Sequence, residues 1–191
     1  MAKHQHPSPS RVASLWRSRQ GSRPMRLYRG LVVDVGSAGL ASAIRKAVVS
    51  HARGESAPLG EGEVARFIMG AIRTNDIGES WSVSRRSAEK FGRGDYALDR
   101  KPTPRGKTLG VLLTGEVKEN AGYDPVDAGE ETWQMTMGEN EVRLPPGVQV
   151  KVVGLDVYIP KFKKDRYTGF TNDVGKWYYV PLVGGSFTVR V

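Results

Sequence analysis

The segment Gly138–Gly147 reads Gly-Glu-Asn-Glu-Val-Arg-Leu-Pro-Pro-Gly, and the rest of the chain is organised around it. Side chains of an extended strand alternate between two faces, so Glu139 and Glu141 are expected on one face, about 6–7 Å apart. Val142 and Leu144 are expected to enter the core. Pro-Pro-Gly cannot continue a central strand, so a turn is predicted there. Two neighbouring acids are most often solvated on an outward sheet face, so a catalytic interpretation depends on what lies upstream.

Length and composition limit the classes of protein that the chain can belong to. Its 191 residues, of which 39% are hydrophobic, predict one domain with a real core. No apolar stretch is long enough to span a bilayer, and residues 1–26 lack the apolar middle of a secretory signal. We therefore expect no membrane association and a cytoplasmic protein, made in the cell where it acts, for instance one encoded by a phage or a bacterium. The absence of cysteine excludes disulfides, cysteine-based zinc sites and thiol nucleophiles.

The positive charge is concentrated at the start of the chain. Seven basic and no acidic side chains lie in residues 1–33, which leaves 22 basic and 20 acidic side chains in the remainder. Residues 1–24 are predicted to be a disordered, solvated tail, and residues 25–191 a single folded domain. The alternative is that the tail is an arm that contacts the phosphates of a nucleic acid.

The first predicted strand, 25–33, contains an unusual arginine. Met25, Leu27, Leu31 and Val33 share one face with Arg29, which places a guanidinium in an apolar row. A buried guanidinium needs an anion beside it, either a protein carboxylate or a ligand. An internal salt bridge, or a head group that reaches water, is the plainer explanation.

Helices are predicted early in the chain and strands later. Apolar periodicity predicts helices over 37–53, with Gly54 as a left-handed cap, and over 61–73. A strand over 80–84 should direct Trp81 and Val83 inward and display Ser82 and Ser84, with Ser84 also capping a helix over 85–91 in which Ala88 and Phe91 point inward. Further strands are predicted over 109–117, 148–152, 155–159, 176–183 and 186–191.

The predicted loops cover 92–107, 118–138 and 161–166. The last is basic and interleaves Phe162 with lysines, a weak signal for nucleic-acid or substrate contact. No repeat, P-loop, dinucleotide fingerprint or metal-ligand cluster is present, so no metal is expected. A serine nucleophile is not indicated, because the three histidines are His4, His6 and His51 and no Gly-x-Ser-x-Gly surrounds a serine.

Three short pieces together resemble the mono-ADP-ribosyltransferases of the arginine, serine-x-serine and Glu-x-Glu class, the branch of clostridial toxins and vertebrate ecto-enzymes. The pieces are Leu-Tyr-Arg-Gly-Leu at 27–31, Ser-Trp-Ser-Val-Ser at 80–84 and Glu-Asn-Glu at 139–141. Their order and spacing make the set more specific than any one piece. Val83 stands where the family often has threonine; since this side chain is expected to face the core, the change should be tolerated.

The resemblance implies an α+β fold, a split β-sandwich with helices in the N-terminal half and NAD held in the cleft between the sheets. It implies that Arg29 binds a phosphate of NAD or the adjoining ribose. Gly30 would let the backbone approach the nicotinamide amide, and Ser82 would orient Glu141. Ser84 is also assigned to the NAD site.

The same resemblance implies roles in catalysis. Glu141 would stabilise the oxocarbenium-like state that forms as nicotinamide leaves, and Glu139 would hold the incoming nucleophile. Glu rather than Gln at 139 favours arginine on a target protein as the acceptor. Tyr123 and Trp133 lie in the loop where the family contacts its target protein.

Two other functions compete with the transferase. One is a noncatalytic nucleic-acid-binding or virion-associated protein that uses its basic tail and carries a degenerate transferase fold. The other is a NAD glycohydrolase, in which water accepts the ADP-ribose.

Overall fold

The computed structural model describes residues 24–74, 77–94, 104–118, 121–122, 141–164 and 171–191, which form three helices and nine strands. The helices are α1 (Ala38–Ala52), α2 (Glu61–Thr74) and α3 (Arg85–Arg93). The strands are β1 (Met25–Asp34), β2 (Ser80–Ser82), β3 (Thr108–Val117), β4 (Glu141–Arg143), β5 (Gln149–Ile159), β6 (Phe162–Lys164), β7 (Thr171–Asp173), β8 (Lys176–Tyr179) and β9 (Phe187–Arg190). This is an α+β fold, as predicted.

Seven of the described strands form one antiparallel sheet in the order β4-β2-β1-β3-β5-β8, with β9 also paired to β5. β6 and β7 form a separate two-stranded ribbon. The centre of the sheet is the pairing of β1 with β3, which runs without interruption from Met25 opposite Val117 to Asp34 opposite Thr108. This long pairing fixes β1 firmly, because every residue of the strand has a cross-strand partner.

Helices cover the two faces of the sheet unequally. On one face, Leu27 and Val33 of β1 join a hydrophobic core with Ile44 of α1 and Ile68 of α2, each at most 1% exposed. On the other face, α3 lies directly on β1, because a Cβ atom on Gly30 would overlap the carbonyl oxygen of Ala88. Glycine lets the helix backbone approach the strand this closely.

The predicted helices are confirmed, with one difference in α3. Ser37 caps α1 by accepting a hydrogen bond from the amide of Leu40, and Gly54 follows that helix with a φ of 70°. Ser84 caps α3, which continues to Arg93 instead of ending at residue 91. The positions of α3 that are buried are Ala88 and Gly92, whereas Phe91 is only half-buried.

The prediction for Val83 was wrong. β2 ends at Ser82, and the side chain of Val83 is 40% exposed instead of facing the core. The Ser82 hydroxyl accepts a hydrogen bond from the amide of Ser84 at 3.0 Å, so the chain turns after Ser82 and the strand alternation stops there.

β5 replaces two predicted strands by one. Its register with β3 shifts between Thr114 and Gly115, where Thr114 lies opposite Gly154 and Gly115 opposite Val152. A bulge of this kind bends a strand without ending it. β5 can therefore pair with β9 near its start and with β8 near its end.

The remaining strands differ in length from their predictions. β8 ends at Tyr179 instead of residue 183, because Pro181 has no amide to donate and Gly184 and Gly185 turn the chain. The predicted loop over 161–166 contains β6. The loops over 92–107 and 118–138 lie largely outside the described residues. Among the helices that the structure describes, none has both the length and the apolar character needed to cross a bilayer.

Candidate functional site

β1 and β2 separate from each other beside Arg29. The described pairing of these two strands is limited to Tyr28 opposite Ser82. Continuing this register would place Gly30 opposite Ser80, but the carbonyl oxygen of Ser80 instead accepts a hydrogen bond from Nη1 of Arg29. The guanidinium therefore lies where the sheet opens between the two strands.

The backbone before β2 accommodates this guanidinium. Gly78 has a φ of 67°, and a Cβ atom on it would lie 2.9 Å from Nη2 of Arg29. A larger residue would be strained by the left-handed backbone and would also press on the guanidinium. The half-buried Arg29 is thus positioned by the backbone at Gly78 and Ser80.

β2 and β4 bring the second and third motifs together. Ser82 lies directly opposite Glu141, and Trp81 lies opposite Val142. Trp81 and Val142 are 2% and 0% exposed, so this face of the two strands is anchored in the core. The serines and Glu141 leave the strands on the other face.

The carboxylate of Glu141 is held by two side chains. The hydroxyl of Ser80 donates to Oε1 of Glu141 at 2.5 Å. Nη2 of Arg143 lies 3.5 Å from the same oxygen. The Glu141 side chain is 11% exposed, so a hydroxyl and a guanidinium orient a carboxylate that is largely shielded from water.

Ser82, which lies opposite Glu141 in the strand pairing, is linked through Ser84 to the start of α3. Ser82 is 4% exposed and accepts the amide hydrogen bond of Ser84. The hydroxyl of Ser84 in turn accepts the amide of Ser87 in the first turn of the helix. A shift of α3 would therefore shift the residue that faces Glu141.

Arg29 and Glu141 approach Ser80 from different sides. Tyr28, Ser82 and Glu141 are in register and share a face, whereas Arg29, the next residue along β1, leaves on the opposite face. The guanidinium contacts the carbonyl of Ser80, and the carboxylate contacts its hydroxyl. The two charged groups thus meet at one residue, at the point where β1 and β2 diverge.

Gly30 has a structural role that the sequence did not indicate. A Cβ atom on Gly30 would lie 2.6 Å from the amide nitrogen of Gly92, besides overlapping the carbonyl oxygen of Ala88. The close approach of α3 therefore requires glycine here. The role expected of Gly30 at the nicotinamide stays a prediction.

A second group of charges ties α3 to β5. Nη2 of Arg85 lies 3.3 Å from Oδ2 of Asp156, and Nε of Arg85 lies 2.9 Å from Glu89. Burial raises the pKa of the Asp156 carboxyl above its ordinary value, and the charge and hydrogen bond of Arg85 offset only part of that rise. Burial alone would lower the pKa of Arg85, but its bond to Glu89 and the charge of Asp156 outweigh this and leave it raised.

Sequence reasoning missed Ser80 and Arg143 as partners of Glu141. The alternation of side chains along a strand already places Ser80 on the same face as Ser82, two positions away. It likewise places Arg143 on the same face as Glu141. The contact itself depends on β2 lying beside β4, which no local pattern indicates. Glu139, Tyr123 and Trp133 lie outside the described residues.

The described residues contain no group of three or more histidine, aspartate or glutamate side chains placed to hold a metal ion. Comparison of the chain with family models, with curated proteins and with solved structures finds no match. A functional interpretation must therefore come from the motifs and from the geometry around Ser80, Ser82 and Glu141.

Proposed function

We propose that the chain is a NAD-dependent mono-ADP-ribosyltransferase, which moves ADP-ribose from NAD to an arginine of a target protein and releases nicotinamide. One observation carries the proposal. The three motifs that resemble this class lie on three neighbouring strands, with Tyr28, Ser82 and Glu141 in register across β1, β2 and β4. Sequence spacing alone does not require this, because 58 residues separate Ser82 from Glu141 on the printed chain.

The environment of Glu141 suits the chemistry of the proposed reaction. Cleavage of the bond between nicotinamide and ribose develops positive charge on the sugar, and a fixed carboxylate stabilises that charge. The contact from Ser80 and the nearby guanidinium of Arg143 limit the rotamers of Glu141. Because the orientation is set before NAD binds, it costs no reorganisation during the reaction.

The opening between β1 and β2 is the proposed NAD site. In the split β-sandwich of this class, NAD lies between two sheets, and the divergence of β2 and β4 from β1 after Tyr28–Ser82 is a candidate for that cleft. Arg29 borders the opening, and arginine is well suited to binding a diphosphate. Gly30, Ser82 and Ser84 would complete the site on the side of α3.

The sequence alone supports the proposed contacts with the acceptor arginine and its protein. Glu139 would remove a proton from the acceptor arginine and balance its charge, and Tyr123 and Trp133 would contact the target protein. We expect Glu139→Ala to lose transfer to arginine while retaining some hydrolysis of NAD.

Incubation of the protein with NAD labelled on the adenylate, in the presence of a cell lysate, tests the function. Transfer predicts label on protein, released by hydroxylamine at a rate typical of an arginine linkage. Free labelled ADP-ribose without protein label would instead identify a NAD glycohydrolase. Intact NAD in every lysate, with no binding of NAD to the purified protein, would contradict the proposal.

A further inference from the structure

The β6–β7 ribbon carries a group of exposed positive charges. Lys161, Lys163 and Lys164 are all exposed on or beside β6, and Lys176 is exposed at the start of β8. The chain enters the ribbon directly from β5, and the amide of Val174 donates to the carbonyl of Lys161 at 2.7 Å. This bond brings the segment before Lys176 alongside the base of the ribbon.

An exposed aromatic ring lies among these charges. Phe162 is 44% exposed, although a large apolar side chain is normally buried. The guanidinium carbon of Arg105 lies 4.9 Å from the centre of its ring. The turn before β3 therefore adds a fifth cation to the four lysines, and a ring and a guanidinium lie together at the surface.

Among the described residues, the acids near this group already have partners. Asp173 uses Oδ1 to accept the amides of Lys161 and Gly175, at 3.1 and 2.9 Å, which shapes the ribbon. Asp34 is occupied by Lys107 at 2.7 Å. Within the described part of the chain, no ion pair involves Arg105 or the four lysines.

We propose that the ribbon and the Arg105 turn bind single-stranded nucleic acid, independently of the proposed NAD site. Four exposed lysines and an arginine supply positive charges for the phosphates of such a strand. An exposed phenylalanine offers a surface on which an unpaired base can stack, and every base has such a face. Duplex bases are already stacked within the helix, so a duplex could use the charges but not the ring.

The shared chemistry of phosphates and unpaired bases does not distinguish RNA from DNA. An acidic protein would use the cations without the ring. An anionic bilayer would gain little apolar contact from Phe162 and Val174, the large apolar side chains that are exposed among the described residues of the ribbon and its base. Each of these partners is therefore an outcome of the test.

The test measures fluorescence polarisation of labelled oligouridylate and oligothymidylate with full-length protein. We expect single strands to bind more tightly than duplex, and Lys163→Glu with Lys164→Glu to lower the slope of log Kd against log salt by about 1.4, which corresponds to the loss of about two phosphate contacts. Lys163→Glu with Lys164→Glu should raise Kd for single strands at least about tenfold. Phe162→Ala should raise Kd for single strands by a similar factor but leave the affinity for heparin unchanged.

The matched control is Arg66→Glu with Lys118→Glu, which makes the same change of charge on α2 and just after β3. Because every variant keeps the basic residues 1–24, a difference between variants cannot come from that segment. The proposal is overturned if the control weakens binding as much as the ribbon variant, or if Phe162→Ala leaves single-strand binding unchanged. Equal or tighter binding to polyglutamate or to anionic vesicles would also overturn it, in favour of an acidic protein or a membrane.

Discussion

The hydroxyl of Ser80 lies 2.5 Å from Oε1 of Glu141, while the carbonyl of the same serine accepts a hydrogen bond from Arg29. Ser80 thus links a cation on β1 to an acid on β4, although no role beyond its place in a motif was predicted for it. We infer that Ser80 orients the carboxylate that the proposed reaction requires.

Removing the hydroxyl of Ser80 should slow the proposed reaction more than it weakens NAD binding. A hydrogen bond to a charged group contributes about 1.5–3 kcal/mol, so Ser80→Ala should lower kcat about 10- to 100-fold with little change in KM. Ser80→Thr keeps the hydroxyl and should recover part of the rate. Ser42→Ala, an exposed serine of α1, is the control and should leave both constants unchanged.

Arg29 should be required for NAD binding, and lysine should not replace it. Lysine keeps the charge but loses the planar group that can bind both Ser80 and a diphosphate. A ligand at about 100 times its Kd stabilises a protein by about 2.7 kcal/mol, so saturating NAD should raise the Tm of the wild type measurably. Arg29→Lys should lose most of that shift. Arg26→Lys, which changes an exposed side chain of the same strand, should keep it.

Two glycine substitutions should change stability in opposite directions. Gly30→Ala forces a Cβ against the backbone of α3, and overpacking of this kind typically costs about 1–3 kcal/mol or more. Gly70→Ala, in α2, places its Cβ in open space and should stabilise the fold by about 0.5–1 kcal/mol. Urea unfolding of both variants measures the difference. A Gly30→Ala protein as stable as the wild type would contradict the close packing of α3 on β1.

Asp156 and Asp34 should give opposite dependences of stability on pH. The pKa of Asp156 is raised above 3.8 in the folded protein, so its favourable contribution is present below that pH and is lost as pH rises through the folded pKa. The pKa of Asp34 is lowered, chiefly by the hydrogen bond with Lys107, so its contribution is present above 3.8 and is lost as pH falls. Relative to the wild type, Asp156→Asn should therefore gain stability as pH rises above 3.8.

Relative to the wild type, Asp34→Asn should instead lose stability as pH rises to 3.8. The loss should be slight, because solvent screens the charge of the exposed Asp34. Unfolding free energies of the three proteins across this range give the two differences. Parallel curves for Asp156→Asn and the wild type would show that burial does not shift the carboxyl as described.

Much of the fold could be predicted because the relevant signals are local. The alternating apolar positions of β1, the caps at Gly54 and Ser84, and the Pro-Pro-Gly turn after Leu144 each depend on a few consecutive residues. The same is true of the burial of Val142 and Leu144, both 0% exposed.

The errors arose where a contact distant in sequence overrides the local pattern. Two strands were predicted over 148–152 and 155–159, but pairing with β3 keeps β5 continuous through a bulge. Val83 was placed inward by assuming that the strand continued, whereas the bond from Ser84 to Ser82 ends it. The partners of Glu141 depend on the order of strands in the sheet, which a single sequence does not specify.

The most direct test of the central claim is the rate at which nicotinamide is released from NAD by the wild type and by Glu141→Gln. Glutamine retains an oxygen that can accept the hydrogen bond from Ser80 but removes the negative charge, so we expect an unchanged Tm and a rate at least about 100-fold lower. Glu116→Gln, which alters an acid on β3, should release nicotinamide at the rate of the wild type. Equal rates for Glu141→Gln and the wild type would contradict a catalytic role for Glu141, and with it the proposed transferase.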